Sequence, residues 1–202
     1  MTAQMHDQFI LEGKTYSIVG IKGDELFDPK RLGLTPVGTC TACWRGYVCE
    51  YGIRDERLVL ETLQMSLYTI QDKKYVPEPG PEINGVWPTE PEGEYTVFNT
   101  LYQDLGLEIA FTGGMLLGEG FIRELYVHMG FHPAWKYETV FEIVFTGGKV
   151  DEIRDVSEQI DELRSRMGRK PLQPGHKANE QEIRSWIEST FRQDYDLWTG
   201  IL

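Results

Sequence analysis

EIAFTGG at 108–114 and EIVFTGG at 142–148 are nearly the same seven residues written twice in one chain. What the Gly-Gly pair does after each apolar run decides the fold. One reading is a phosphate-cradling loop, because Gly113, Gly114, Gly118 and Gly120 precede the helix-like stretch FIRELYVHM, and a helix N-terminus offers free N–H groups to anions. The loop lacks the Gly-Lys-Ser/Thr ending of a P-loop and the glycine spacing of the dinucleotide fingerprint. The second copy runs on into KVDEIRD with no further glycines. The other reading is a hairpin turn, for which Gly-Gly between apolar runs is a standing signal. The sequence favours hairpin turns at both copies.

The flanks agree with a β-rich chain. In YETVFEIVF, alternation puts Tyr137, Thr139, Phe141, Ile143 and Phe145 on one face, and Glu138, Val140, Glu142 and Val144 on the other. The stretch WRGYVCEYGI alternates too, with Arg45, Tyr47, Cys49, Tyr51 and Ile53 sharing a face. It is followed, after a turn at 54–57, by LVLETLQM, with Leu58 and Leu60 opposed to Val59, Leu63 and Met65. That pairing reads as a hairpin.

A longer repeat is suggested by YSIVGIKGDELF with DPKRLGLTP against LEIAFTGGMLLGEGF with IRELYVHMGFHP. Each runs strand, glycine turn, strand, and closes on a Gly-x-x-Pro corner, Gly33–Pro36 and Gly130–Pro133, before a further hairpin. The expected fold is therefore mainly β (α+β). Two related antiparallel four-stranded halves, about 8–70 and 96–155, form a barrel-like or sandwich body, which removes exposed strand edges. A proline-rich loop, 72–95, joins them, pinned to the body by Ile83, Val86 and Trp87.

After residue 155 the period changes from strand to helix. DVSEQIDELRSRM places Ile160, Leu163 and Met167 on one helical face, with Glu158 able to cap back towards Asp155. NEQEIRSWIESTF opens with an Asn179…Glu182 capping-box pair and lines up Ile183, Trp186, Ile187 and Phe191. The body is thus 1–155, and 156–202 is a C-terminal extension of two helices ending in the apolar YDLWTGIL, expected to dock on the body or on a second copy.

Composition restricts the partners. Hydrophobic residues at 41% and aromatics at 12% supply a large core. A net charge of −12 argues against nucleic acid and anionic membrane surfaces, which reward clustered Lys and Arg. No apolar run approaches the roughly 18 residues of a membrane span. Residues 1–9 lack the basic and apolar regions of a signal peptide. Three cysteines within ten positions make a poor disulfide framework, so a cytoplasmic setting is expected.

Three constellations carry possible chemistry. Trp44, Arg45, Tyr47, Tyr51 and Phe141, with Phe111 and Phe145, suggest an aromatic-lined cavity between the halves, in which Arg45 or His128 orients a polar group. Cys40 and Cys43 in C-x-x-C spacing, with His128 and His132 in H-x-x-x-H spacing, provide a Cys2His2 donor set for zinc. The bland readings are a packed cysteine corner and an arginine stacked on an aromatic ring or paired with a carboxylate. Basic residues Arg164, Arg166, Arg169, Lys170 and Lys177 make one positive spot, suited to a helix end or to an acidic face of another subunit. No catalytic signature such as G-x-S-x-G or H-E-x-x-H is present. The leading expectation is a protein binding a small apolar or amphipathic ligand. The alternative is an assembly module acting through the C-terminal helix and tail, as a homo-oligomer, and a metal-binding protein comes third.

Overall fold

The computed structural model describes residues 2–72, 74–93, 96–167 and 179–184. The stripe Trp186, Ile187 and Phe191, the basic residues Arg169, Lys170 and Lys177, and the tail 195–202 lie outside the described residues, as do the side chains of Arg166 and Met167.

Strands β1 (Gln8–Leu11) and β2 (Lys14–Gly23) form a hairpin, as do β3 (Tyr47–Arg54) and β4 (Arg57–Met65). A short hairpin follows, β5 (Tyr68–Gln71) with β6 (Lys74–Pro77), then β7 (Thr100–Tyr102) and β8 (Leu107–Glu108). The second half holds β9 (Gly113–Phe121), β10 (Tyr137–Thr146) and β11 (Lys149–Asp155), and helix α1 (Ser157–Met167) comes next. Nine strands make one mixed sheet in the order β11-β10-β9-β2-β1-β3-β4-β7, with β8 also on β4. The single parallel pair on that path is β1 with β3. Lys149 of β11 pairs with Arg57 of β4, so seven strands close into a barrel-like ring. The chain is mainly β, as the alternation predicts.

The two heptads behave differently. Gly147 and Gly148 are the two-residue turn between β10 and β11, with φ of 56° and 82°. Positive φ at both central residues is what such a turn demands. Gly113 is no turn. It opens β9, paired with Gly23 on one side and Phe145 on the other. A Cβ placed on Gly113 would lie 1.9 Å from the Lys22 carbonyl oxygen, so the requirement there is close backbone approach. The preceding Thr112 is held by Asp24, whose N–H donates to the Thr112 carbonyl at 3.0 Å and whose carboxylate accepts from Thr112 N at 3.2 Å. The two copies also touch: Gly147 N donates to Thr112 Oγ1 at 2.9 Å, and Gly148 N to the Phe111 carbonyl at 2.7 Å.

The ring is filled. Phe9, Ile18, Cys49, Tyr51, Leu58, Leu60, Leu63, Met65, Met115, Leu117 and Ile143 are buried in one cluster. Leu60 and Leu63 face inward together because a bulge opposite Glu50/Tyr51 shifts the register between them. On the outside of β2, β9 and β10, Val19, Leu116 and Val140 pack under Val156, Ile160 and Leu163. Part of that face is covered by α1. Its Arg164 donates to the carbonyls of Trp135 at 2.8 Å and Tyr137 at 2.6 Å, so this member of the basic spot is a helix anchor.

The proline-rich stretch is more ordered in register than a loop reading implies. Residues 74–77 are β6, and Ile83 and Val86 bridge across an Asn84–Gly85 turn. Ile83 is buried and Val86 half-buried against the core, while Trp87 stands exposed. Asn179 and Glu182 make the reciprocal capping pair, each side chain accepting from the other's backbone N–H at 2.9 Å. No helix among the described residues is long and apolar enough to cross a membrane.

Candidate functional site

Beside the ring lies an open cleft of about 650 Å³. Its walls come from Ile21 of β2, the loop 24–28 that follows it, Lys30 and Pro36, and the segment Trp44–Tyr47 that leads into β3. Asp7, just before β1, also lines it. The loop takes this path because Gly23 is bound to β9, and Asp28 then caps a short 3-10 turn at Pro29–Leu32 by accepting from Lys30 N at 3.0 Å.

Arg45 is the centre of its polar side. Its two terminal nitrogens donate to the Asp7 carboxylate at 2.7 and 2.5 Å, and its guanidinium lies 4.7 Å from the Tyr47 ring centroid. Asp7 is buried and also accepts from Cys49 N at 2.6 Å. Such a bidentate, stacked pair is rigid. Arg45 is therefore committed to Asp7 through one donor of each terminal nitrogen, which neutralises its charge within the protein. The remaining charges on the cleft are Asp24, Glu25 and Asp28 against Lys30, and with Glu25 paired to Arg31 at 3.4 Å the surplus is one negative charge. Trp44, 53% exposed, stands on its rim.

Trp44, Arg45 and Tyr47 thus meet in one site. Tyr51 stands behind it in the core, its hydroxyl accepting from Phe27 N at 3.3 Å, which steadies a lining residue. Phe111 and Phe145 are packed in the ring interior, and Phe141 is half-buried against Tyr16 with ring centroids 5.7 Å apart. Of the aromatic residues expected to line a cavity, Trp44 and Tyr47 border this cleft, and Phe111 and Phe145 belong to the buried core of the ring.

His128 is exposed, with Nδ1 2.9 Å from the Tyr126 hydroxyl. His132 is buried, its Nδ1 accepting from Lys136 Nζ at 3.2 Å. Cys40 and Cys43 face each other across a tight turn. The segment 2–6 runs between these two regions: Gln4 N donates to the Gly130 carbonyl and Met5 N to the Ala42 carbonyl, both at 2.8 Å. The intervening arm keeps the donor pairs apart. Among the described residues no three His, Cys, Asp or Glu side chains are grouped to hold a metal.

No family model, curated protein or solved structure matches this chain. The site is argued from its own geometry.

Two groups of residues carry no readable signal in the sequence. Asp7 is one, a lone acid 38 positions from its arginine. The other is the cluster of half-buried His6 with buried His132 and Lys136. His6 Nδ1–H donates to the Ile18 carbonyl at 2.8 Å, and its Nε2 accepts from His132 N at 3.1 Å. Burial pushes the His6 imidazole down to about 4. Burial and then the neighbouring Lys136 push His132 down to about 4 as well. Burial alone lowers Lys136 to about 8. His132 Nε2 is buried with no hydrogen-bond partner among the described residues.

Proposed function

We propose that the protein binds a small amphipathic molecule carrying a positive charge in the cleft between Trp44, Tyr47 and Phe27. The observation that carries this reading is the lining itself. Aromatic faces stand beside Asp24, Glu25 and Asp28, while the arginine of the site is already neutralised by Asp7. A cation with an apolar body gains from both halves of such a surface, through ring faces and through the carboxylates of Asp24 and Asp28, which unlike Glu25 are not engaged by Arg31. The volume, about 650 Å³, falls within the range of small-molecule sites. Three free thiols support a reducing, cytoplasmic setting.

A matched pair of probes tests it. Phenethylamine and phenylacetate share a ring and differ in the sign of the charge. Thermal-shift and fluorescence titrations at low and high salt are expected to show saturable binding of the amine, weakened by salt, and none of the acid. Trp44→Ala should remove the response while leaving the melting temperature of the free protein unchanged. Equal responses to both probes, or none to either, overturn the reading. Native mass spectrometry of freshly purified protein would give the mass of any resident compound.

A further inference from the structure

We propose that Cys40 and Cys43 form a redox-active dithiol that closes reversibly to a disulfide by exchange with a low-molecular-weight disulfide such as oxidised glutathione. The two residues are antiparallel bridge partners on either side of the Thr41–Ala42 turn, with Cys43 N donating to the Cys40 carbonyl at 3.3 Å. Directly opposed residues of an antiparallel pair have Cα atoms about 4.5–5.5 Å apart and side chains on the same face. That separation lies inside the roughly 4.4–6.8 Å that a disulfide spans. Both thiols are free.

The two sulfurs have different surroundings, which assigns them different roles. Cys40 is partly exposed and reachable by a solute. Cys43 is 3% exposed, and its thiol donates to the Tyr47 carbonyl at 3.3 Å. Burial raises the Cys43 thiol above its ordinary range, so it holds its proton and does not attack first. In the forward sequence the Cys40 thiolate attacks one sulfur of the small disulfide. One small thiolate leaves and takes a proton, and a mixed disulfide stays on Cys40. Cys43 then gives up its proton, and its sulfur attacks Cys40 Sγ and expels the second small thiol. Two protein thiols are oxidised to one disulfide, and one small disulfide is reduced to two thiols, so atoms and electrons balance.

Closure takes the Cys43 sulfur away from the Tyr47 carbonyl and draws the chain immediately before Trp44 and Arg45. Trp44 N, now 3.2 Å from Gln4 Oε1, sits on that segment. Cys49 takes no part: it is fully buried in the ring core, and burial holds its thiol well above the ordinary range. The proposal rests on the turn alone and stands whether or not the cleft binds an amine.

The test equilibrates the folded full chain with glutathione buffers from fully reduced to fully oxidised. Samples are quenched in acid, alkylated under denaturing conditions, and read by intact mass and peptide mapping. The expected result is a species about 2 Da lighter before alkylation, linked Cys40 to Cys43, with Cys49 alkylated, and fully reversed by dithiothreitol. Cys49→Ser should behave identically. Cys43→Ser should stop at the glutathione adduct on Cys40, which reports that Cys43 is the resolving sulfur. Three outcomes overturn the proposal: alkylation of all three cysteines across the series, a stable Cys40–glutathione adduct in the unmodified chain, or a bridge that includes Cys49.

Discussion

The rings of Phe111 and Phe145 meet edge to face with centroids 5.9 Å apart, each the aromatic residue of its own FTGG copy. Both are essentially inaccessible to solvent. The repeated heptads are therefore neighbours in space, joined at one end of the ring, although only one of them turns the chain. Their glycines answer to different demands, and substitution separates them.

At Gly147 an added Cβ meets nothing within 4 Å, so Gly147→Ala is expected to carry only the penalty of positive φ, about 1–2 kcal/mol. At Gly113 the same change drives a Cβ into the Lys22 carbonyl and should prevent the β2–β9 pairing altogether. Urea unfolding of both variants checks this: a shifted midpoint for the first, and loss of a cooperative transition for the second.

Asp7→Ala removes a buried carboxylate that receives two Arg45 nitrogens and the Cys49 N–H. Breaking a buried pair from one side leaves the other charge uncompensated, and a loss of about 3 kcal/mol is expected. Arg45→Met, which removes the charge but keeps much of the stem, should lose less when combined with Asp7→Ala than the sum of the two single changes. Chemical denaturation of the double-mutant cycle measures the coupling.

The bases His6, His132 and Lys136 set the pH dependence. His6 and His132 are held near 4 in the folded chain against 6.5 when unfolded, so the unfolded state takes up protons first on acidification. Stability is present above 6.5 and is lost as pH falls towards 4. Lys136, near 8 folded against 10.5 unfolded, adds a gain in stability as pH rises from about 8 to 10.5. Denaturation midpoints across pH should show the acid limb, and on the alkaline side the Lys136 gain set against the loss from the buried Cys43 and Cys49 thiols, whose folded values lie above the unfolded 9. Lys136→Met should remove the alkaline gain, and His6→Gln should shrink the acid limb; unchanged limbs in these variants would argue against the assignment.

Ile160 is 1% exposed where α1 lies on β9 and β10. Ile160→Ala is expected to cost about 2–5 kcal/mol, as for other large-to-small changes in a core. Hydrogen exchange should then rise at the amides of Val140 and Val156 before those of the ring interior.

Much of the ring was legible because burial of one face forces period-two alternation. The β3–β4 hairpin and the core face of Phe141, Ile143 and Phe145 follow from it directly. The face of β4 did not, because the bulge at Glu61 reverses the parity between Leu60 and Leu63, and a bulge leaves no mark on composition. The β1–β2 hairpin was missed because its turn, Glu12–Gly13, places a glutamate at φ 52° where Asn or Asp is the usual signal. At the cleft, Trp44, Arg45 and Tyr47 stood out as an unusual local run. Asp7 and the His6–His132–Lys136 cluster did not, since their partners are distant in sequence and only the closed ring brings them together.

The backbone N–H of His132 donates to the His6 ring across 126 positions. During synthesis, at roughly 5–20 residues per second, the segment 2–7 must wait on the order of ten seconds for the residues that complete its surroundings. Until then β1 can gain β2 and β3, but the histidine pair is unfinished and its imidazoles stay open to water. Contacts that use the earliest residues are thus made only after most of the body has been synthesised. A ribosome stalled before residue 130 would display a folding intermediate whose His6 still titrates like an ordinary surface histidine.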